Sequence, residues 1–225
     1  MPGADEGGHS PTALYDVLTE AREAGFLGPG PLERQLRHAE GFVTVGRRLA
    51  SGSPASPHLL DLGSGGGLPG LVVAERWPEA EVVLLDANSR RTAFLRHAVD
   101  RLALSSRVTV LEERAEVCGH QEGLRGAFDG VLARSFGRPA VVAECGAPLL
   151  RVDGWLVVSE PPSAAAGTGE RDEGSRWPAE PLRLLGLEAV ELVHEGFEYR
   201  TLRQRTPCPE RFPRRNGVPA KRPLF

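Results

Sequence analysis

The chain has 225 residues, 40% of them hydrophobic and 25% charged, which suits one folded domain with a real core and short appendages. Its net charge of −3 excludes a polycation, and no apolar run reaches the length of a membrane span. Three widely spaced cysteines, Cys118, Cys145 and Cys208, imply no disulfide framework and fit a reducing cytoplasm. The charge is uneven: residues 199–225 carry eight Arg or Lys and one acid, Glu210, so a local anionic partner is the expectation for the C-terminal end.

Taken in chain order, residues 1–9 are Gly-rich, polar and acidic. They read as disordered and not as a secretory signal. Ser10-Pro11 opens a helix, with Ser as cap and Pro at the first helical position. Leu14, Val17, Leu18, Ala21 and Ala24 follow at helical spacing, and Gly25 ends it. After the break "GPGP" (28–31), a second amphipathic helix carries Leu32, Leu36, Ala39, Phe42 and Leu49 on one stripe. "SGSPASP" (51–57) is a linker. From His58 the rhythm becomes strand–helix alternation. Buried strands are expected at 58–62, 81–86, 107–111, 128–133 and 154–159, with helices near 69–77, 89–103 and 138–150. This pattern implies an open, mostly parallel sheet covered on both faces. Residues 161–178 read as a flexible loop, and strands near 187–193 and 197–204 form an antiparallel hairpin around Glu195-Gly196. The Pro-rich tail 206–225 cannot be regular helix or central strand and is expected along the surface.

The stretch "LLDLGSGGGLPG" (59–70) places a Gly-rich turn between the first strand and its helix. Glycine permits positive φ and close approach of a ligand to the backbone. "GGGLPG" also satisfies G-x-G-x-x-G, so a dinucleotide pyrophosphate and the amino-acid part of S-adenosyl-L-methionine both compete for the turn. Asp61, ahead of Gly63, Gly65 and Gly67, can hold an ammonium and would repel a pyrophosphate. Pro69 can start the helix, which leaves fewer free amides for phosphate. Asp86 closes the second strand, where a carboxylate suits two ribose hydroxyls; capping of the next helix is its other role, one that Asn88 or Ser89 can also fill. Arg134 follows the fourth strand at the ligand-binding edge, either as a site residue or in an ion pair. Phe136 can stack on a base or belong to the core. Cys118-Gly119-His120 lacks a second ligand pair nearby and reads as a buried thiol near a surface His rather than a metal site.

Three segments carry a family resemblance: residues 59–104, "ERAEV" (113–117) and "FDGVLARSFGRPAVVAECGAPLLRVDGWLVV" (128–158). They resemble the glucose-inhibited-division-protein-B family, bacterial guanine-N7 methyltransferases of small-subunit (16S) ribosomal RNA. Leu68-Pro69-Gly70, the Arg after strand four, the ending "ERFPRRNGVPAKRPLF" and the Arg37-His38 pair add to the likeness. The resemblance implies a class I S-adenosyl-L-methionine-dependent methyltransferase fold, α/β and Rossmann-like, with a mostly parallel seven-stranded sheet, helices on both faces and an N-terminal helical cap. It implies cofactor binding by Gly63, Leu68, Ala115, Glu116 and Arg134, and places Arg114 near the site. Two departures stand out: "FLGPGPLERQL" (26–36) replaces an Asn-Leu-Thr segment, and Ser159-Glu160-Pro161-Pro162 replaces a Lys-Gly, setting an anion beside the presumed RNA face.

The resulting expectation is a cap at 10–57, a cofactor-binding domain at 58–205 and a basic tail at 206–225. It acts as a cytoplasmic monomer on ribosomal RNA in the small subunit, gripping phosphates through the tail, with neither metal nor membrane. Guanine N7 carries an in-plane lone pair, so no general base is needed; orientation by Arg134, and secondarily Arg114, is the expected catalytic contribution. A methyltransferase of a small molecule or another RNA, and a non-catalytic nucleotide- or RNA-binding module, are the competing readings.

Overall fold

The computed structural model describes residues 11–51, 55–162 and 176–225. The expected disorder of 1–9, the Ser10 cap, the middle of the 51–57 linker and most of the 161–178 loop lie outside the described residues. Two N-terminal helices, α1 (Pro11–Glu23) and α2 (Leu32–Leu49), precede the alternation of β1 (His58–Leu62), α3 (Gly70–Arg76), β2 (Glu81–Asp86), α4 (Ser89–Arg101), β3 (Val108–Glu112), α5 (Ala115–Cys118), β4 (Phe128–Ala133), α6 (Pro139–Gly146) and β5 (Leu150–Glu160). Then come α7 (Ala179–Leu184), the strands β6 (Leu187–His194) and β7 (Glu198–Gln204), and a last helical turn, α8 (Val218–Lys221).

The seven strands form one sheet in the order β3-β2-β1-β4-β5-β7-β6. β1 to β5 are parallel, and β7 pairs antiparallel with both β5 and β6. This is the class I methyltransferase arrangement: the order reverses between β1 and β4, leaving a crevice beyond their C-terminal ends. Alternation along the strands feeds two apolar layers. Leu59, Val82 and Leu84 face one layer, and Leu60, Leu62, Val83 and Leu85 face the other. The N-terminal helices cover the first layer: Leu18, Leu32 and Phe42 pack in the same cluster as Trp77, Trp155 and Tyr199. On the second face, α5, α6 and α7 are joined by the tail, whose Cys208 and Phe212 are buried in the cluster.

The structure differs from the sequence expectation in a few elements. β5 begins at Leu150 rather than 154: Leu150 pairs with Phe128 before an irregular stretch at 151–153, where the register slips and Asp153 has φ 62°. The helix expected to 150 becomes a 3-10 turn at Ala147–Leu149, as Pro148 cannot supply the continuing N–H. The tail follows the surface but contains one helical turn, with Pro219 in the first turn, where its missing N–H is not needed. The last described residues of the expected 161–178 loop are anchored: Trp177 is buried and donates its indole N–H to Glu160 at 2.6 Å.

Candidate active site

The glycine loop leaves β1 with Gly63, Gly65 and Gly67 at φ 76°, 56° and 98°, conformations that L side chains rarely adopt. Its amides are largely spent internally. Gly63 and Ser64 both donate to the Leu85 carbonyl at 2.9 Å, Gly65 donates to Asp86 Oδ2 at 2.9 Å, and Gly67 donates to the Ser64 carbonyl at 2.7 Å. A phosphate nest needs such amides free, so this loop is poorly suited to a pyrophosphate. Part of the demand for glycine comes from the protein itself. A Cβ at Gly63 would lie 2.5 Å from the Phe136 ring, and one at Gly66 would lie 2.6 Å from Leu27 Cδ2. Phe136 is thus a partly buried packing residue against the loop.

Two carboxylates flank this turn. Asp61 is 1% exposed; its Oδ2 accepts from the Gly70 amide at 3.0 Å, while Oδ1 is buried without a partner among the described residues. Burial pushes the Asp61 carboxyl up to about 7. Asp86 Oδ1 accepts from the Asn88 amide at 2.9 Å, and Arg91 lies 3.6 Å from Oδ2. Asn88 caps α4, accepting from the Arg90 and Arg91 amides, so Asp86 is not needed as that cap.

Arg134 stands where β4 ends, next to Ser135 in the left-handed region at φ 59°. Strained backbone of this kind persists where surrounding structure holds it, often at functional sites. The Arg134 guanidinium donates to Gln35 Oε1 at 3.2 Å, and Gln35 Nε2 donates to the Gly28 carbonyl at 2.9 Å. Through this relay α2 and the segment before it are fixed over the crevice. A cavity of about 220 Å3 lies against the glycine loop, roofed by Phe26, Leu27 and Gly28 and walled by Arg91 and Arg134. A second cavity, about 590 Å3, lies between the start of α2 and the β6–β7 turn. Gln35 and Arg134 line both.

The first cavity brings together Gly63, Gly65, Leu68 and Arg134, with Asp86 bonded to the loop. Asp61 sits beneath it, tied to the start of α3, and Gly67 packs on Leu71. Ala115, Glu116 and Arg114 lie apart, at the end of β3. Ala115 is buried at the start of α5, and Arg114 pairs with Glu116 at 3.1 Å. Glu116 also accepts from the Gly217 amide at 2.8 Å and lines a third cavity with Arg211, Arg214 and Arg215. Burial raises the Glu116 carboxyl, but the Gly217 amide and Arg114 outweigh this and hold it below its ordinary range. Within the tail, Arg214 forms a two-point pair with the fully buried Glu144, at 2.8 and 2.6 Å. Arg125 and His120 bind tail carbonyls of Cys208, Phe212 and Pro213.

Sequence reasoning missed Gln35, Arg91 and the β6–β7 turn as parts of the site. The one available signal was Gln35, a polar residue beside an otherwise apolar stripe. Among the described residues there is no cluster of potential metal ligands and no helix long and apolar enough to cross a membrane. The departure at Glu160 is compensated: Arg176 pairs with it at 2.8 Å and Trp177 donates to its other oxygen.

The solved structure of cofactor-bound Rv0187 from MTB superposes with a TM-score of 0.58 over 89% of this chain and 92% of that one, at 20% identity, a likeness of fold alone. Ribosomal RNA small subunit methyltransferase G of Prochlorococcus marinus (strain MIT 9313) is 39% identical over 172 residues, covering 73% of this chain and 67% of that protein. The protein of the same name from Roseiflexus castenholzii is 38% identical over 191 residues, 82% of this chain and 78% of the relative. The family described as rRNA small subunit methyltransferase G matches residues 37–167, which take in the whole parallel half of the sheet, Asp61, the glycine loop and Arg134. By this match and by the identity of its relatives, the chain belongs to the rRNA small subunit methyltransferase G family.

Proposed function

We propose that the protein is an S-adenosyl-L-methionine-dependent methyltransferase acting on N7 of a guanine in small-subunit (16S) ribosomal RNA. The observation that carries this reading is the pair of adjoining cavities joined at Gln35 and Arg134, one against the glycine loop and one open to a large substrate. The loop and its carboxylates fit this cofactor. The partnerless Asp61 Oδ1 suits an ammonium, and the glycines let a ligand approach their backbone closely. Gly63, Gly65, Gly67 and Leu68 would hold the amino-acid part and Asp86 the ribose hydroxyls; the family resemblance adds Ala115 and Glu116, which lie apart at the end of β3, for the adenine. The roof at Phe26–Gly28 would exclude water.

When bound, the cofactor supplies a methyl group activated by a sulfonium. Gln35 and Arg134, on the wall the two cavities share, would hold the base so that its in-plane N7 lone pair faces that methyl group. That lone pair is free at neutral pH, so the reaction needs no general base. What the protein contributes is proximity and orientation. Arg134, buried enough that its guanidinium is easier to deprotonate than usual yet still cationic at neutral pH, orients the base or cofactor from the shared wall. Arg114, paired with Glu116, supports the far end of the crevice. The RNA phosphates would meet Arg211, Arg215, Lys221 and Arg222 of the tail, whereas Arg214 is committed to Glu144. Three buried free thiols suit a reducing, cytoplasmic setting.

The test is transfer of label from methyl-labelled S-adenosyl-L-methionine to small ribosomal subunits lacking their native methylation. Incorporation that stops with Arg134→Ala supports the reading; labelling of small molecules but no RNA would sink it.

A further inference from the structure

The larger cavity holds chemistry that the methyl transfer itself does not use. Glu160 and Glu198 both line it, and neither lines the cofactor cavity. They are register partners across β5 and β7, side by side at the sheet's ligand-binding edge. Like charges placed opposite each other weaken a sheet. Here the repulsion is moderated by Arg176 and Trp177 on Glu160, while His194 lies 3.8 Å from Glu198. On another wall His38 stacks on Phe197, with centroids 4.4 Å apart and planes at 11°. Its Nε2 is buried without a hydrogen-bond partner among the described residues, a deficit that a polar ligand in the cavity would relieve.

A base that presents N7 toward the shared Gln35–Arg134 wall turns its opposite edge toward residues that only the larger cavity has. In guanine that edge carries two adjacent donors, N1–H and the N2 amine, whose spacing matches the two oxygens of a carboxylate. Adenine offers an acceptor at N1 instead, and a carboxylate repels it. Resting on the reading of this protein as a ribosomal RNA methyltransferase, we propose that the cavity between α2 and the β6–β7 turn is a guanine-selective base site, in which N1–H and the N2 amine are accepted by the Glu160–Glu198 wall, at Glu160 through the lone pairs that Trp177 and Arg176 leave. The same wall favours the product electrostatically, because the base gains a positive charge as N7 is methylated. The anion in place of the expected Lys-Gly then serves substrate choice rather than opposing it.

The experiment compares two small-subunit particles, one with guanosine and one with inosine at the methylated position; inosine keeps N7, O6 and N1–H but lacks the N2 amine. Single-turnover methylation is measured for the wild type, Glu160→Gln and Glu198→Gln, with cofactor affinity and melting temperature alongside. The wild type should prefer guanosine by roughly tenfold or more, the discrimination a two-point contact gives. At least one variant should lose most of that preference while cofactor affinity is retained. Equal wild-type rates on both particles overturn the proposal without any variant, and so does full preference retained in both variants. A wild type that methylates neither particle contradicts the underlying reading of the reaction instead.

Discussion

Replacing Asp61 by Asn should stabilise the ligand-free protein and weaken cofactor binding at the same time. Asp61 is 1% exposed, its Oδ1 lacks a partner among the described residues, and burial pushes its carboxyl up to about 7. The folded state therefore holds a proton that the unfolded chain releases in the ordinary carboxylate range. Folding takes up a proton between the two values, so this group's contribution falls as pH rises, and the penalty is complete above about 7. At about 1.4 kcal/mol per pH unit, burying this carboxyl costs up to roughly 4 kcal/mol at pH 8, where it is ionised, and roughly 1–2 kcal/mol at pH 5, where folding must protonate it. Asn keeps an oxygen for the Gly70 amide and escapes the charge, though its amine must find an acceptor. At roughly 2–4 °C per kcal/mol for a chain of this size, Asp61→Asn should melt higher by several degrees at pH 8, with a smaller gain at pH 5. Thermal melts of both proteins at the two pH values measure the difference, and calorimetry with S-adenosyl-L-methionine measures the loss of affinity. A variant no more stable than wild type at pH 8, with no pH-dependent gap, would refute the assignment of Asp61 as a strained ligand-holding carboxylate.

Other consequences follow from the same contacts. Wild-type affinity for S-adenosyl-L-methionine should rise several-fold from pH 6 to about pH 7.5 as Asp61 ionises and level off as the ligand's ammonium deprotonates; a flat calorimetric profile contradicts the ammonium contact. Arg214→Ala strands the fully buried Glu144 carboxylate and should cost about 3–5 kcal/mol in denaturant unfolding, whereas exposed Lys221→Ala should stay within about 0.5 kcal/mol. Gly63→Ala forces a side chain into φ 76° and to 2.5 Å from the Phe136 ring, a loss of about 1–3 kcal/mol readable in thermal melts and accompanied by weaker cofactor binding. Replacing Arg211, Arg215 and Arg222 together by Ala should flatten the salt dependence of RNA binding by roughly two to three in log–log slope, with the fold intact. An unchanged slope in a filter-binding series would remove the tail from the RNA interface.

The parallel half of the sheet was legible because each strand is a short, mostly apolar run bounded by charged or glycine-containing turns. Leu59–Leu62 and Val82–Asp86 needed no tertiary information. The glycine loop was legible as a tight turn after β1, but the reason for its glycines was only half visible. Phe136 and Leu27 occupy the space over Gly63 and Gly66, and neither contact is local in sequence. The same limit hid the larger cavity. His38 meets Phe197, and Tyr199 donates to the His38 carbonyl at 2.7 Å, because the β6–β7 hairpin folds back over α2. No periodicity announces that pairing. The tail illustrates the opposite error. Its arginines read as phosphate contacts on a surface tail, yet Arg214 is a structural strut, since Glu144 on α6 faces inward and needs a cation.

The central claim is that this cradle and its adjoining cavity transfer a methyl group to guanine N7 in small-subunit ribosomal RNA. The direct measurement is mass-spectrometric mapping of N7-methylguanine in that RNA after incubation with the protein and labelled S-adenosyl-L-methionine. The expected result is one labelled guanine, lost with Arg134→Ala. Label on another atom or another base, or none in RNA while S-adenosyl-L-methionine still binds, would contradict it.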